Sequence, residues 1–73
     1  MSNLPRISGR ACAKALISAG FLQLRQHGSH IILRRPEPFA QVVVPNHSEL
    51  DRGTLRAIIR QAGLTIEQFK ILL

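Results

Sequence analysis

The chain has 73 residues, and its 10 Lys and Arg against 4 Asp and Glu give a formal net charge of +6 at pH 7. This length predicts a single domain over residues 1–73 with one small core. Its lack of Trp and Tyr argues against a binder that stacks bases on aromatic rings, and its single cysteine excludes an internal disulfide. Because no signal peptide or membrane-spanning run is visible, we expect a soluble, cytoplasmic protein.

The first helix is predicted over residues 8–19. Ser8 is a favourable N-cap and Gly20 a favourable residue just past the end of the helix. Cys12 lies in an alanine-rich apolar stripe of this helix, which favours a small core residue over a nucleophile. Arg10 and Lys14 lie four residues apart and share another face of the same helix.

A change to alternating periodicity after the first helix predicts a strand. Leu22 and Leu24 alternate with polar residues, which predicts one buried face, and His27-Gly28 supplies a turn. A second strand follows at residues 29–35, and Pro36-Glu37-Pro38 ends it. A third strand is expected at residues 40–44. The short connections predict an antiparallel meander.

Two further helices are predicted after a polar loop at residues 46–53. One covers residues 54–62, and the other begins at Thr65, where Thr65 and Gln68 fit a capping box. Arg52, Arg56 and Arg60 recur every four residues and form a basic stripe of the kind that binds phosphates. The chain's phenylalanines and the apolar residues of the last helix are expected to pack in or near the core: Phe21, Phe39, Ile66, Phe69, Ile71, Leu72 and Leu73.

These elements predict an α+β fold with two layers in the order α-β-β-β-α, plus a short extra C-terminal helix. Helices would cover one face of the three-stranded antiparallel sheet and leave the other face open. If Ile31 and Leu33 point at the helices, then His30, Ile32 and Arg34 share the open face.

The segment Gly28-Ser29-His30 combines a flexible glycine, a hydroxyl and an imidazole within a very basic chain. An imidazole can take a proton from a ribose 2′-hydroxyl or give one to a leaving 5′-oxygen. Gly28 would let the backbone approach a phosphate, and Ser29 could donate a hydrogen bond to it. The segment therefore indicates chemistry on RNA, whereas the simpler reading makes His30 an ordinary strand residue with a hydrogen-bond partner.

The chain resembles the HicA-type toxins in an ordered set of motifs. These are Ser8-Gly9, Gly20-Phe21, Arg25, Gly28-Ser29-His30, Val44-Pro45-x-His47, Gly53-Thr54-Leu55 and Ile59-x-x-Ala62-Gly63. The resemblance implies a fold like that of a double-stranded RNA-binding domain, and it implies the toxin half of a type II toxin–antitoxin system. It also implies a ribosome-independent, metal-free mRNA interferase, an endoribonuclease with His30 as its catalytic residue.

The same resemblance implies a HicB-type antitoxin as partner, in a heterotetramer or a larger complex, alongside mRNA. We expect Lys14, Arg25 and Arg34 to supply cations for the charge that develops on the phosphate. Gly28, Ser29 and His47 complete the expected RNA-binding set. His47 is either a second proton-transfer group or a brace for its loop.

No metal or other cofactor is expected, because the spacing of His27 and His30 does not place two ligands on one face.

Two other functions remain as alternatives. A non-catalytic RNA-binding module would keep the basic stripes and the fold without using His30. A helix-turn-helix DNA-binding protein would use the turn at Ala62-Gly63-Leu64-Thr65, although its recognition helix would carry Lys70 as its one basic residue.

Overall fold

The structure is a computed structural model that describes residues 4–73, so the first three residues of the predicted domain lie outside the described part. The elements, in chain order, are α1 (Gly9–Ser18), β1 (Leu22–His27), β2 (His30–Pro36), β3 (Phe39–Pro45), α2 (Arg52–Gln61) and α3 (Ile66–Ile71). The strands form one antiparallel sheet in the order β1-β2-β3. The predicted α+β meander, with an open sheet and a short third helix, is confirmed.

The core lies between the helices and one face of the sheet. Inward-facing residues of β2 and β3 alternate with exposed ones, and the buried set includes Ile31, Leu33, Ala40, Val42 and Val44. These side chains join a cluster with buried residues of all three helices, among them Leu16, Leu55 and Phe69. The other face carries His30 and Arg34, both exposed, and the half-buried Ile32. The predicted division of β2 into two faces is therefore confirmed.

Strand β1 does not have the buried face that its alternation predicts. All six of its residues are exposed, including Leu22 at 62% and Leu24 at 46%. The register with β2 shifts between Gln23 and Arg25, so Leu24 has no partner there, and Leu22 lies opposite Arg34 on the open face. This irregularity in an edge strand puts both leucines outside the core.

Three apolar residues expected to pack are instead exposed: Phe39 at 68%, Ile71 at 81% and Leu73 at 51%. Phe39 precedes Ala40, and the register that turns Ala40 inward turns Phe39 outward. Helix α3 has six residues and buries Phe69, with Ile66 and Leu72 partly covered on the same stripe. Ile71 lies off that stripe and Leu73 lies beyond the end of the helix, so the expectation for them was wrong.

The helix caps explain where the helices begin. The Ser8 hydroxyl accepts a hydrogen bond from the Ala11 amide at 3.0 Å. Helix α2 begins at Arg52, two residues earlier than predicted, because the Asp51 carboxylate accepts from the Thr54 amide at 2.7 Å. The predicted capping box of α3 is confirmed, since Gln68 donates to the Thr65 hydroxyl at 3.0 Å and its side-chain oxygen accepts from the Thr65 amide at 2.9 Å.

Candidate functional site

The β1–β2 turn consists of Gly28 and Ser29, one residue later than predicted, and it is flanked by the paired His27 and His30. Gly28 has φ +59°, and no other residue of the turn has a positive φ. This is the pattern of a type II′ hairpin turn, which favours glycine at its first central position. The Gln26 side chain donates to the Gly28 carbonyl oxygen at 3.2 Å and braces the turn.

His30 occupies the end of the central strand on the open face. It lies opposite His27 on β1 and opposite Pro45 on β3. The residue is exposed, and no hydrogen bond to its imidazole occurs within residues 4–73. The interpretation of His30 as a strand residue with a side-chain partner therefore finds no support in the described part of the chain.

Two backbone hydrogen bonds bring the end of β3 and the start of α1 to this turn. The Asn46 amide donates to the Ser29 carbonyl oxygen at 2.6 Å, and the Gly9 amide donates to the His47 carbonyl oxygen at 2.9 Å. Three of the motifs that are far apart in the chain, at residues 8–9, 28–30 and 44–47, thus meet at one end of the sheet. We call this place the histidine end, defined by Gly9, His27, Gly28, Ser29, His30, Asn46 and His47.

Gly9 permits the close approach of α1 to β3. A Cβ atom at this position would overlap the Pro45 carbonyl oxygen and lie 2.9 Å from the Pro45 carbonyl carbon. Any side chain at residue 9 would therefore push the first turn of α1 away from the loop that carries His47. The glycine of the Ser8-Gly9 motif is a packing requirement of the histidine end.

His47 lies on the loop after β3 and is exposed. The Thr54 amide, which donates to the Asp51 carboxylate, lowers the pKa of Asp51, and the charge of His47 adds a smaller effect in the same direction. The backbone carbonyl of His47 braces α1 through Gly9. This bond is made by the main chain, so both predicted roles of the His47 side chain stay predictions.

The predicted cationic residues do not all gather at the histidine end. Arg25 lies on the open face of β1, two residues before His27, and is a diagonal neighbour of His30. Arg34 lies four residues beyond His30 on β2. At the usual rise of a strand their backbones are about 13 Å apart. Its Nε donates to the Gln41 side chain at 3.0 Å, and its guanidinium lies 5.8 Å from the Phe39 ring centroid.

Lys14 is on the opposite side of the sheet from the His30 side chain. It lines a shallow groove between α1 and β1 together with Arg10, Gln23, Gln26 and Ile31. Arg52, Arg56 and Arg60 are exposed along α2, so both predicted basic stripes lie on the helix layer. Within residues 4–73 the single ion pair joins Arg6 to Glu49 at 2.7 Å, which leaves these cations available for an anionic ligand.

Cys12 is fully buried, as predicted, and burial raises its pKa to about 12. A thiol protonated at neutral pH and closed to solvent does not act as a nucleophile. No group of His, Cys, Asp or Glu side chains in the described residues is arranged to hold a metal ion. The described helices are also all too short or too polar to cross a membrane.

Sequence reasoning missed His27 as a neighbour of His30, because it placed the turn at His27-Gly28. A two-residue loop at Gly28-Ser29 would have revealed the pairing, since the residues flanking such a loop lie opposite each other on one face. Asn46 was also missed, and its contact with Ser29 joins parts of the chain that no local pattern connects.

Two comparisons with known proteins bear on the family of this chain. A search of curated proteins finds no match. A family model described as the HicA toxin of bacterial toxin–antitoxin systems matches residues 9–64 of the 73-residue chain. This match includes the whole sheet, α1 and α2, and every residue of the histidine end. The chain therefore belongs to the HicA toxin family.

Proposed function

We propose that this chain is an endoribonuclease that cleaves mRNA, with His30 as general acid or base and without a ribosome or a metal ion. Membership of the HicA toxin family supports this proposal. The single observation that carries it is the placement of His30. Its imidazole is exposed beside a glycine turn on an uncovered sheet face, in a chain of net charge +6.

The chemistry follows from the substrate. RNA carries an internal nucleophile, the 2′-hydroxyl, which DNA lacks. His30 takes the proton of this hydroxyl or protonates the leaving 5′-oxygen, and general acid–base catalysis of this kind contributes about 10²–10⁴ in rate. The products are a 2′,3′-cyclic phosphate and a 5′-hydroxyl. A reaction with this internal nucleophile needs no metal-bound water.

RNA binding is assigned to residues around and behind the turn. Gly28 has no atom outside its chain neighbours within 4 Å of a would-be Cβ, so a phosphate can approach its backbone closely. The Ser29 hydroxyl donates to that phosphate, and Arg25 is the nearest cation on the same face. Lys14, on the helix layer, and Arg34, farther along β2, extend the positive surface for a longer RNA. His47, on the loop after β3, completes the proposed RNA-binding set.

The partner we propose is a HicB-type antitoxin, in a heterotetramer or a larger complex in the cytoplasm. Val43 is 45% and Phe39 68% exposed on the open face, in line with the half-buried Ile32, so this face has apolar surface for a protein to cover. The antitoxin would then block access to His30. Carbethoxylation of His30 should be slower in the complex than in the free toxin, and equal rates would contradict this docking.

The decisive experiment compares the purified chain with its His30→Ala variant on a short defined RNA in excess EDTA. We expect the variant to lose about 10²–10⁴ in cleavage rate while its RNA affinity changes little. A substrate with a 2′-deoxyribose at the cleaved position should resist both proteins. Gln61→Ala is the control and should cleave normally, because Gln61 is exposed at the end of α2 and makes no side-chain hydrogen bond within the described residues.

Three outcomes would remove the proposal. Equal cleavage by the wild type and His30→Ala would exclude the imidazole. Binding of RNA that stays intact would favour the alternative of an RNA-binding module. A preference for duplex DNA would favour the helix-turn-helix alternative, which is weakened because α3 buries Phe69 in the core rather than presenting a recognition surface.

A further inference from the structure

The histidine end contains two imidazoles on one face, and the proposed function uses one of them. We propose that His27 is the second proton-transfer group of the reaction and performs whichever transfer His30 does not. This inference rests on the proposed ribonuclease activity. The proposed role of His27 follows from the register of the hairpin and not from a sequence motif.

The register places the two side chains together. His27 and His30 flank the Gly28-Ser29 turn and are direct partners in the β1–β2 ladder. Side chains of directly opposed residues in an antiparallel pair project from the same face, with Cβ atoms about 4.5–5.5 Å apart. That face is the open one, because Ile31, the next residue along β2, is buried against the helices.

Both imidazoles are free to act on a ligand. His27 and His30 are exposed, and neither makes a side-chain hydrogen bond within the described residues. Among charged groups, Arg25 lies two residues before His27 on β1 and is the diagonal neighbour of His30, and Arg34 lies farther along β2. On the same face of β3 the neighbouring residues are Pro45 and Val43, which carry no charge. No carboxylate of the described chain occupies this face.

Two imidazoles that project from neighbouring positions on one face can both reach a single phosphodiester bound over the turn. One neutral imidazole takes the proton of the 2′-hydroxyl while the 2′-oxygen forms its bond to phosphorus. The bond from phosphorus to the 5′-oxygen breaks, and the other imidazole, protonated beforehand, gives its proton to that oxygen. The enzyme ends with the two protonation states exchanged, and proton exchange with water restores them. Arg25 faces the phosphate whose charge increases in the transition state.

His47 is less suited to this second role. It lies on the loop after β3, and its carbonyl oxygen accepts a hydrogen bond from the Gly9 amide. It also follows β3 by two residues, whereas His27 is a ladder partner of His30. The register therefore favours His27 over His47.

The test uses two forms of one short RNA, in EDTA. One has a normal linkage, and the other has a 5′-bridging sulfur at the cleaved position, whose thiolate leaves without needing a proton. Wild type, His30→Ala, His27→Ala and His27→Gln are compared on both. His27→Gln keeps a polar side chain of similar reach, and circular dichroism with thermal unfolding checks that every variant is folded.

We expect both His27 variants to cleave the normal RNA about 10²–10⁴ more slowly than the wild type. On the sulfur-bridged RNA the defect should largely disappear for one histidine, which is the general acid, and persist for the other, which is the base. The wild type should show a bell-shaped dependence of rate on pH, and removal of His27 should remove one limb of it.

The outcomes separate the two proposals. If the wild type cleaves RNA and His30→Ala does not, but the His27 variants stay within about threefold of wild type, this inference is wrong and the proposed function stands. If His27 and His30 variants lose rate equally on both substrates, His27 binds or positions RNA and transfers no proton, which also overturns it. If the wild type cleaves no RNA, both proposals fail together.

Discussion

The two tight turns of the sheet lie at opposite ends of β2 and differ in what their side chains do. At the Glu37–Pro38 turn, Arg35 donates from Nε to the Pro38 carbonyl oxygen at 2.9 Å, and its guanidinium lies 4.8 Å from the Phe21 ring centroid. At the Gly28–Ser29 turn, the flanking His27 and His30 make no such contacts within the described residues.

This difference shows how one small sheet divides its polar residues. At one end the Arg35 side chain closes the turn and covers the Phe21 ring of the core. At the other end the Gln26 side chain donates to the Gly28 carbonyl oxygen, and backbone bonds run from Asn46 to Ser29 and from Gly9 to His47. Because neither histidine side chain takes part in this bracing, the imidazoles of His27 and His30 remain free for a substrate.

The largest effect is expected from Gly9→Ala, which breaks the backbone bracing of the histidine end. The new methyl group would collide with the Pro45 carbonyl group, and overpacking of this kind costs about 1–3 kcal/mol or more. Urea unfolding measures the loss of stability, and cleavage should fall as the loop with His47 is displaced.

Gly53→Ala is the matched control for that experiment, because both glycines lie in the first turn of a helix. At residue 53 the nearest atom to a new Cβ is the Asp51 side-chain oxygen at 3.6 Å, an ordinary contact. This control should be neutral or stabilise α2 by up to about 1 kcal/mol. Equal stability of Gly9→Ala and the wild type would show that α1 can move away from β3 without cost.

A smaller effect is expected from Arg35→Ala at the opposite turn. The variant loses the hydrogen bond to Pro38 and the contact with Phe21, which together contribute about 1–2 kcal/mol. Thermal unfolding should show the loss, and RNA cleavage should be unchanged under conditions where the variant is folded.

The neighbouring Arg34→Ala sharpens this comparison. Arg34 is exposed and points to the open face, so its loss should change the free energy of unfolding by about 0.5 kcal/mol or less but weaken RNA binding. If Arg35→Ala abolished cleavage without lowering stability, the division between the two ends would be wrong.

An effect smaller than those of Gly9→Ala and Arg35→Ala is expected from Gly28→Ala. Nothing lies near the position of the new Cβ, so the cost comes from the positive φ of +59° alone, about 1 kcal/mol. Equilibrium unfolding in urea should resolve it. Ser29→Ala in the same turn should leave stability unchanged, and a Gly28→Ala variant as stable as wild type would mean that the turn relaxes into another conformation.

The elements that the sequence predicted well are those with local signals. The capping box at Thr65 and the N-cap at Ser8 were found because they depend on contacts three residues apart. The two faces of β2 followed from strict alternation around Ile31 and Leu33. Alternating periodicity and the glycine turn signal placed His30 in a hairpin, and the same alternation placed it on the open face, as the structure shows.

Other features could not be predicted because they depend on contacts between distant residues. The alternating pattern of β1 does not reveal the register shift at Leu24. It also does not reveal that β1 is an edge strand whose side chains the helices leave exposed. The need for glycine at residue 9 exists because Pro45 lies against it. Two further contacts could be predicted only from the strand register: the hydrogen bond from Arg34 to Gln41 and the pairing of His27 with His30.

The burial of Cys12 has a consequence for the conditions in which the protein can work. Oxidants react with the thiolate form of cysteine, and a thiol with a pKa of about 12 in a dry interior offers almost none at neutral pH. No other cysteine is present in the chain. Within residues 4–73, peroxide or a more oxidised glutathione pool should therefore not oxidise the sulfur atom of Cys12 in the folded protein.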